Sequence, residues 1–188
     1  CGTTCNGTLT GFADTTGQDV IAASGWTSTQ RKSGAGALMF DGTNDYVINT
    51  PNNTGISGNA EVSIEAWIYP RGNTASQTIV GLIPSTITTG HAAALLINSS
   101  TSNSIGFHFN NGGQNTGQVL EIGKWQHIVV TKSPGQLTTT THIYLNGVEQ
   151  PTTNALGNIT PSITPAKVQI GAGWWDGLTN RPFAGAID

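Results

Sequence analysis

From residue 37 onward the sequence breaks repeatedly into short runs of β-branched, aliphatic and aromatic residues, each closed by a cluster of Gly, Asn, Asp, Thr or Pro. Apolar residues at the 3.6-residue spacing of an amphipathic helix are almost absent. A chain patterned this way cannot build a helical bundle or a βαβ layer. It is left with short strands joined by turns, and so with an all-β, two-sheet sandwich.

The strands can be placed one by one. Leu38-Met39-Phe40 and Tyr46-Val47-Ile48 flank an Asp41–Asp45 turn, and Val62 to Ile68 ends at Tyr69-Pro70. In that run Val62, Ile64, Ala66 and Ile68 share one face, and Glu61, Ser63, Glu65 and Trp67 share the other. Further strands are predicted over Thr78 to Ile83, His91 to Ile97, Ile105 to Phe109, His127 to Thr131, His142 to Leu145 and Lys167 to Gly171. Asn146-Gly147 is the strongest short hairpin signal, because a two-residue type I′ turn needs positive φ at both positions.

Composition narrows the function classes. Of 188 residues only 9% are charged, and the net charge is -3, against roughly 25% charged in an average globular chain. No Lys/Arg stripe exists to neutralise phosphates, so nucleic acid is not expected as a partner. No apolar run reaches the ~18 residues of a membrane helix, and no secretory h-region is present. Thr, Asn, Ser and Gly replace the usual Lys and Glu coat, as on secreted and surface-displayed β proteins. The two cysteines are Cys1 and Cys5. They suit an oxidising compartment, either bridged to each other or to another chain, with lipidation of Cys1 as the alternative.

Five segments resemble laminin-G-like domains of the concanavalin A-like lectin/glucanase superfamily. They are Ala37-Leu38-Met39-Phe40-Asp41-Gly42 with Asp45-Tyr46-Val47, then Val62 to Ile68, and Gly123-Lys124-Trp125-Gln126-His127-Ile128-Val129-Val130. Ile143-Tyr144-Leu145-Asn146-Gly147 and Phe183-Ala184-Gly185-Ala186-Ile187-Asp188 complete the set in the family's order. The resemblance implies a jelly roll of two curved antiparallel sheets over residues 37–188, with 1–36 as a lead-in holding a first strand around Val20-Ile21-Ala22. It also makes Trp67 and Trp125 core residues and His127 a hydrogen-bonded structural one. Family members continue past Ile-Asp into another apolar strand. The expectation here is an open strand slot, due either to a longer parent chain or to strand exchange with another subunit.

Catalysis finds little support. The superfamily's hydrolases carry a Glu-x-Asp-x-x-Glu type of cluster, and the nearest approach is Glu61 and Glu65 with Ser63 between them. Their Cα atoms would lie roughly 13 Å apart, whereas the two carboxyls must come within roughly 5.5 Å or 6.5–9.5 Å. His91, His108, His127 and His142 lie on separate strands with neither a nucleophile elbow nor zinc spacing.

Two binding features stand out. The resemblance implies a structural calcium ion at Asp41, Gly42 and Asp188, with Asp45 nearby, since a hard cation wants carboxylate and carbonyl oxygens. The loop carrying Trp174, Trp175, Asp176, Asn180 and Arg181 combines ring platforms for a sugar's C–H faces with polar groups for its hydroxyls. The leading expectation is a non-catalytic, lectin-type module at an extracellular, cell or virion surface, binding a glycan or a neighbouring protein. A structural subunit of a filament, pilus or virion is the first alternative, and a polysaccharide hydrolase or lyase the second.

Overall fold

A computed structural model of the chain describes residues 7–13, 24–49, 55–72, 75–84, 92–98, 101–109, 112–155, 157–163, 166–173 and 180–188. Strands follow in the order β1 (Gly7–Thr10), β2 (Gly25–Thr27), β3 (Ala37–Asp41), β4 (Tyr46–Asn49), β5 (Val62–Pro70), β6 (Gln77–Pro84), β7 (Ala93–Ile97) and β8 (Ile105–Phe109). Then come β9 (Gly112–Thr116), β10 (Gln126–Lys132), a helical turn α1 (Leu137–Thr140), β11 (Thr141–Leu145), β12 (Val148–Glu149), β13 (Thr152–Asn154), β14 (Ala166–Ile170) and β15 (Ala184–Ile187).

Two antiparallel sheets result, in the jelly-roll arrangement expected from the sequence. One has the order β1-β4-β14-β6-β7-β8-β9-β13 and the other β12-β11-β10-β5-β15-β3-β2. The alternation of β5 acts as read: Val62, Ile64, Ala66 and Ile68 are buried, while Ser63 and Glu65 are exposed. These inward residues meet Phe40, Ile128, Val130 and Ile143 of their own sheet and Leu82, Leu95, Ile97, Phe107 and Phe109 of the other. Each such side chain contributes about 1.5–3 kcal/mol of burial. The core also reaches back before residue 37, since Phe12 stacks edge-on against Phe40 with ring centroids 5.1 Å apart. Both β1 and β2 are built into the sheets. Val20-Ile21-Ala22, Cys1 and Cys5 lie outside the described residues.

The Asn146-Gly147 hairpin forms, with φ of 51° and 81° at its two positions and Leu145 paired to Val148. Strand β9 was not legible: Gly112-Gly113-Gln114-Asn115-Thr116 reads as a polar loop. It pairs because its glycines admit close neighbours. A Cβ on Gly113 would sit 2.5 Å from the His108 ring, and one on Gly112 2.6 Å from the Gly157 carbonyl oxygen. Trp67 is not a core residue, whereas Trp125 packs as expected, against a second and smaller core cluster. Trp67 falls on the outward face of β5 beside Glu65, half-buried between Lys32, whose Nζ lies 4.4 Å from the ring centroid, and the His127 ring. Trp125 packs half-buried with Tyr69 on a small outer cluster of Ala37, Met39 and Ala186.

Candidate functional site

A cavity of about 410 Å³ opens at the end of the sandwich where the β3–β4 turn, the segment after β5 and residues 181–184 meet. Gly42, Gly72, Ser76, Gln77, Arg181 and Ala184 line it. Its walls are fixed by hydrogen bonds between the Gln77 side chain and the backbone. Gln77 Nε2 donates to the Gly72 carbonyl (3.0 Å), and Ala184 N donates to Gln77 Oε1 (2.9 Å), so this amide is a brace between strands. Gly42 has φ +83°, and a Cβ there would lie 2.9 Å from that of Ala184. The volume falls in the roughly 300–1,000 Å³ range of small-molecule clefts.

The segment that carries Arg181 is clamped at its base. Gly173 N donates to the Asn180 carbonyl (2.8 Å), Phe183 N to that of Gly171 (2.7 Å), and Thr78 N to that of Arg181 (2.8 Å). Thr78 Oγ1 donates to the Gly173 carbonyl (2.9 Å), so one residue grips both arms. The register between β6 and β7 slips between Thr78 and Val80, the kind of bulge that re-aims a side chain beside a site. Arg181 itself has φ +56°. A non-glycine side chain in that region costs roughly 1–2 kcal/mol and persists where the surroundings enforce it. Trp174, Trp175 and Asp176 lie outside the described residues, between the clamped Gly173 and Asn180.

The three residues expected to share a metal do not come together. Asp41 pairs with Ala184, whereas Asp188 lies beyond Ile187 at the other end of β15, roughly 13 Å along the strand at ~3.3 Å per residue. The Asp188 carboxylate instead accepts from Lys32 N and Ser33 N, both at 2.8 Å. The residue that does join Asp41 is Asp45. Its Oδ2 accepts from Asp41 N (2.7 Å), while its buried Oδ1 has no hydrogen-bond partner among the described residues. Burial pushes the Asp45 carboxyl above the usual carboxylate range, and the Asp41 charge adds to the rise. The Asp41 amide and the Ser24 hydroxyl pull it partly back. Two carboxylates in one turn, one with an orphaned buried oxygen, fit part of a hard-cation set; Asp188 does not belong to it.

Glu65, one of the two carboxylates weighed for catalysis, is engaged with a histidine. Glu65 Oε1 accepts from His127 Nε2 (2.8 Å) on an exposed face, so His127 is hydrogen-bonded as expected. His142 Nδ1 donates to Glu149 Oε1 (2.6 Å). His91 lies outside the described residues.

Sequence reasoning missed the burial of His108. Only 6% exposed, it donates from Nε2 to Asn115 Oδ1 (2.6 Å) over Gly113. Burial holds its pKa below 6.5, the Asn115 bond opposes that, and the Arg181 charge lowers it further. The unfolded chain therefore takes up this proton at a pH where the folded one still refuses it. Stability falls as pH drops from 6.5 toward the depressed folded pKa, then levels off. Urea midpoints at pH 7 and pH 5 are expected to fall further for wild type than for His108→Gln, which keeps a donor for Asn115 but cannot charge. Equal falls would contradict this.

Comparison with known proteins places this geometry. Residues 41–188 match the family model Laminin_G_3, described as the concanavalin A-like lectin/glucanases superfamily. No curated protein sequence matches the chain. Among solved structures it is similar to domain 4 of AbnA, a GH43 extracellular arabinanase from Geobacillus stearothermophilus, in complex with arabinotriose. That likeness has a TM-score of 0.62 at 17% identity and covers 97% of this chain and 79% of the other. It is similar to mouse laminin alpha1 chain domains LG4-5 (TM-score 0.57, 17% identity, 80% of this chain and 39% of that one). A third is the Ruminococcus gnavus IT-sialidase CBM40 bound to alpha2,3 sialyllactose (TM-score 0.50, 15% identity, 69% and 74% covered). At these identities the structural likenesses speak for the fold alone. The family match, which spans most of the chain and includes four of the five sequence segments in full and most of the first, carries the assignment: the chain belongs to the Laminin_G_3 family of the concanavalin A-like lectin/glucanases superfamily.

Proposed function

We propose that this chain is a non-catalytic, glycan-binding module that works outside the cell, with its sugar seated in the cavity at Arg181. The observation that carries the reading is the left-handed backbone of Arg181 at the cavity wall. Glycine would occupy that position without strain, so an arginine held there points to a use for its side chain. A guanidinium presents several fixed donors to sugar hydroxyls or to a sugar carboxylate. Asn180, and Trp174, Trp175 and Asp176 in the same loop, supply further hydrogen bonds and ring platforms in this reading. The complexes of the arabinanase domain with arabinotriose and of the CBM40 with sialyllactose support the ligand class by analogy.

The proposal includes a structural calcium ion at Asp41 and Asp45, in place of the Asp41–Asp188 set. Such an ion would neutralise the two crowded carboxylates and stiffen the turn that presents Gly42 to the cavity. It takes no part in any chemical step.

A glycan array read with wild type and Arg181→Gly, each with and without chelator, tests the reading. Wild type is expected to bind a defined set of oligosaccharides. Arg181→Gly should lose at least about tenfold in affinity while its melting temperature stays level or rises, because the strained φ is relieved. Calcium should raise the melting temperature of wild type but not of Asp45→Asn. Undiminished binding by Arg181→Gly, or no glycan bound by wild type, would overturn the proposal.

A further inference from the structure

A buried amine and a carboxamide meet where β10 ends. Lys132 lies opposite Val62 of β5, and its Nζ is 2.7 Å from Asn59 Oδ1, a residue 73 positions earlier in the chain. The amide carbon sits ~1.2 Å behind that oxygen, so it lies roughly 3–4 Å from Nζ. A near-attack arrangement needs about 3–3.5 Å. Both partners are held in place. Gly58, next to Asn59, exchanges two backbone hydrogen bonds with Ile163 (2.6 and 2.7 Å), and β10 is paired with β5 as far as Lys132 itself.

The surroundings also prepare the amine. Burial lowers the Lys132 pKa below 10.5, with the Glu61 charge opposing, so the neutral nucleophile is more available than on an exposed lysine. A neutral amine keeps two protons. The Ala60 and Ser133 carbonyls, both 3.1 Å from Nζ, accept them, which leaves the lone pair for the Asn59 side chain.

We propose that Asn59 and Lys132 form a modification site, at which their side chains join in an intramolecular isopeptide bond. Nζ of the neutral amine adds to Asn59 Cγ, and the Cγ–Nδ2 bond breaks. The proton that Nζ gives up is relayed by the exposed carboxylate of Glu61, two residues beyond Asn59, to Nδ2, which leaves as ammonia. Overall an ammonium and a carboxamide become a secondary amide and an ammonium ion, with no oxidant and no second substrate. The link ties the segment before β5 to the end of β10 and closes a long loop, as a disulfide would, although both cysteines lie at positions 1 and 5. An unactivated amide reacts slowly, so freshly folded chain carries the ionised amine and its pH dependence, and linked chain carries neither. The site stands apart from the glycan cavity and does not depend on that reading.

The test is the intact mass of the purified 188-residue chain after prolonged incubation at mildly alkaline pH. Wild type should become lighter by one ammonia. Trypsin should then fail to cut after Lys132, and fragmentation should find a branched peptide joining Asn59 to Lys132. Glu61→Gln should form the link at least about tenfold more slowly. Lys132→Arg and Asn59→Ala should yield no branched peptide, and linked wild type should melt above both. The wild-type masses decide the matter even if a variant fails to fold. Full mass in wild type would overturn the proposal. So would an ammonia loss that hydroxylamine cleaves at Asn146-Gly147, the mark of a succinimide, with no branched peptide.

Discussion

Gly185→Ala is expected to cost about 4 kcal/mol or more, enough to leave the domain largely unfolded under mild denaturant. Gly185 is buried in β15, facing Phe40 of β3 on one side and Pro70 of β5 on the other. A Cβ would fall on the Tyr69 carbonyl oxygen, with the carbonyl carbon 3.0 Å and Pro70 Cα 3.1 Å away. Those atoms are backbone, so relief requires β5 and β15 to part. Their separation would break the seam that also carries the Trp67–Asp188 hydrogen bonds. The φ of +143° adds strain of its own. The matched control is Gly55→Ala, where φ is +73° and nothing lies within 4 Å; strain alone should cost it roughly 1–2 kcal/mol. Urea midpoints of the two variants separate the terms, and a Gly185→Ala midpoint equal to the control's would refute the clash.

The second large effect is at Lys132. This lysine is 2% exposed at the end of β10. Its Nζ donates to Asn59 Oδ1 (2.7 Å), the Ala60 carbonyl (3.1 Å) and the Ser133 carbonyl (3.1 Å), so all three ammonium protons are used. The bonds tie residues 59–60 down beside the Gly58–Ile163 bridge, which joins two otherwise separate segments. Lys132→Met keeps the volume but strands three acceptors, and about 2–3 kcal/mol should be lost. The pH dependence carries a signature. Burial lowers the Lys132 pKa below 10.5, with Glu61 opposing. The cost of burying the ammonium is full below the depressed folded pKa and disappears as pH rises through it toward 10.5. Wild type should therefore gain stability relative to Lys132→Met between neutral and alkaline pH. A constant difference across that range would refute it.

Much of this architecture was legible from local pattern. The two faces of β5, the β3–β4 turn and the Asn146-Gly147 hairpin each follow from residues within a few positions of one another. Pleat alternation and turn φ angles act at that range. The resemblance located the family for the same reason, since its five segments are strand and turn signatures. Arg181 was singled out by composition of its loop, though not the backbone strain that makes it informative.

Other features were invisible because they depend on partners distant in sequence. Nothing in Gly112-Gly113-Gln114 announces a strand until the His108 ring lies over Gly113. Asp41 and Asp188 looked like one metal site because both border family motifs. The antiparallel register of β3 and β15 sends them to opposite ends of the pair and leaves Asp45, four residues along the chain, as the neighbour of Asp41. The burial of His108 and Lys132 likewise appears only once both sheets are assembled. Side-chain alternation and turn geometry are carried by adjacent residues, so the sequence alone determined the strands that alternate clearly, such as β5, the two faces of those strands, and the tight turns. Strand order, register and the depth of each polar group arise from contacts across the whole sandwich, and those the tertiary structure alone decided.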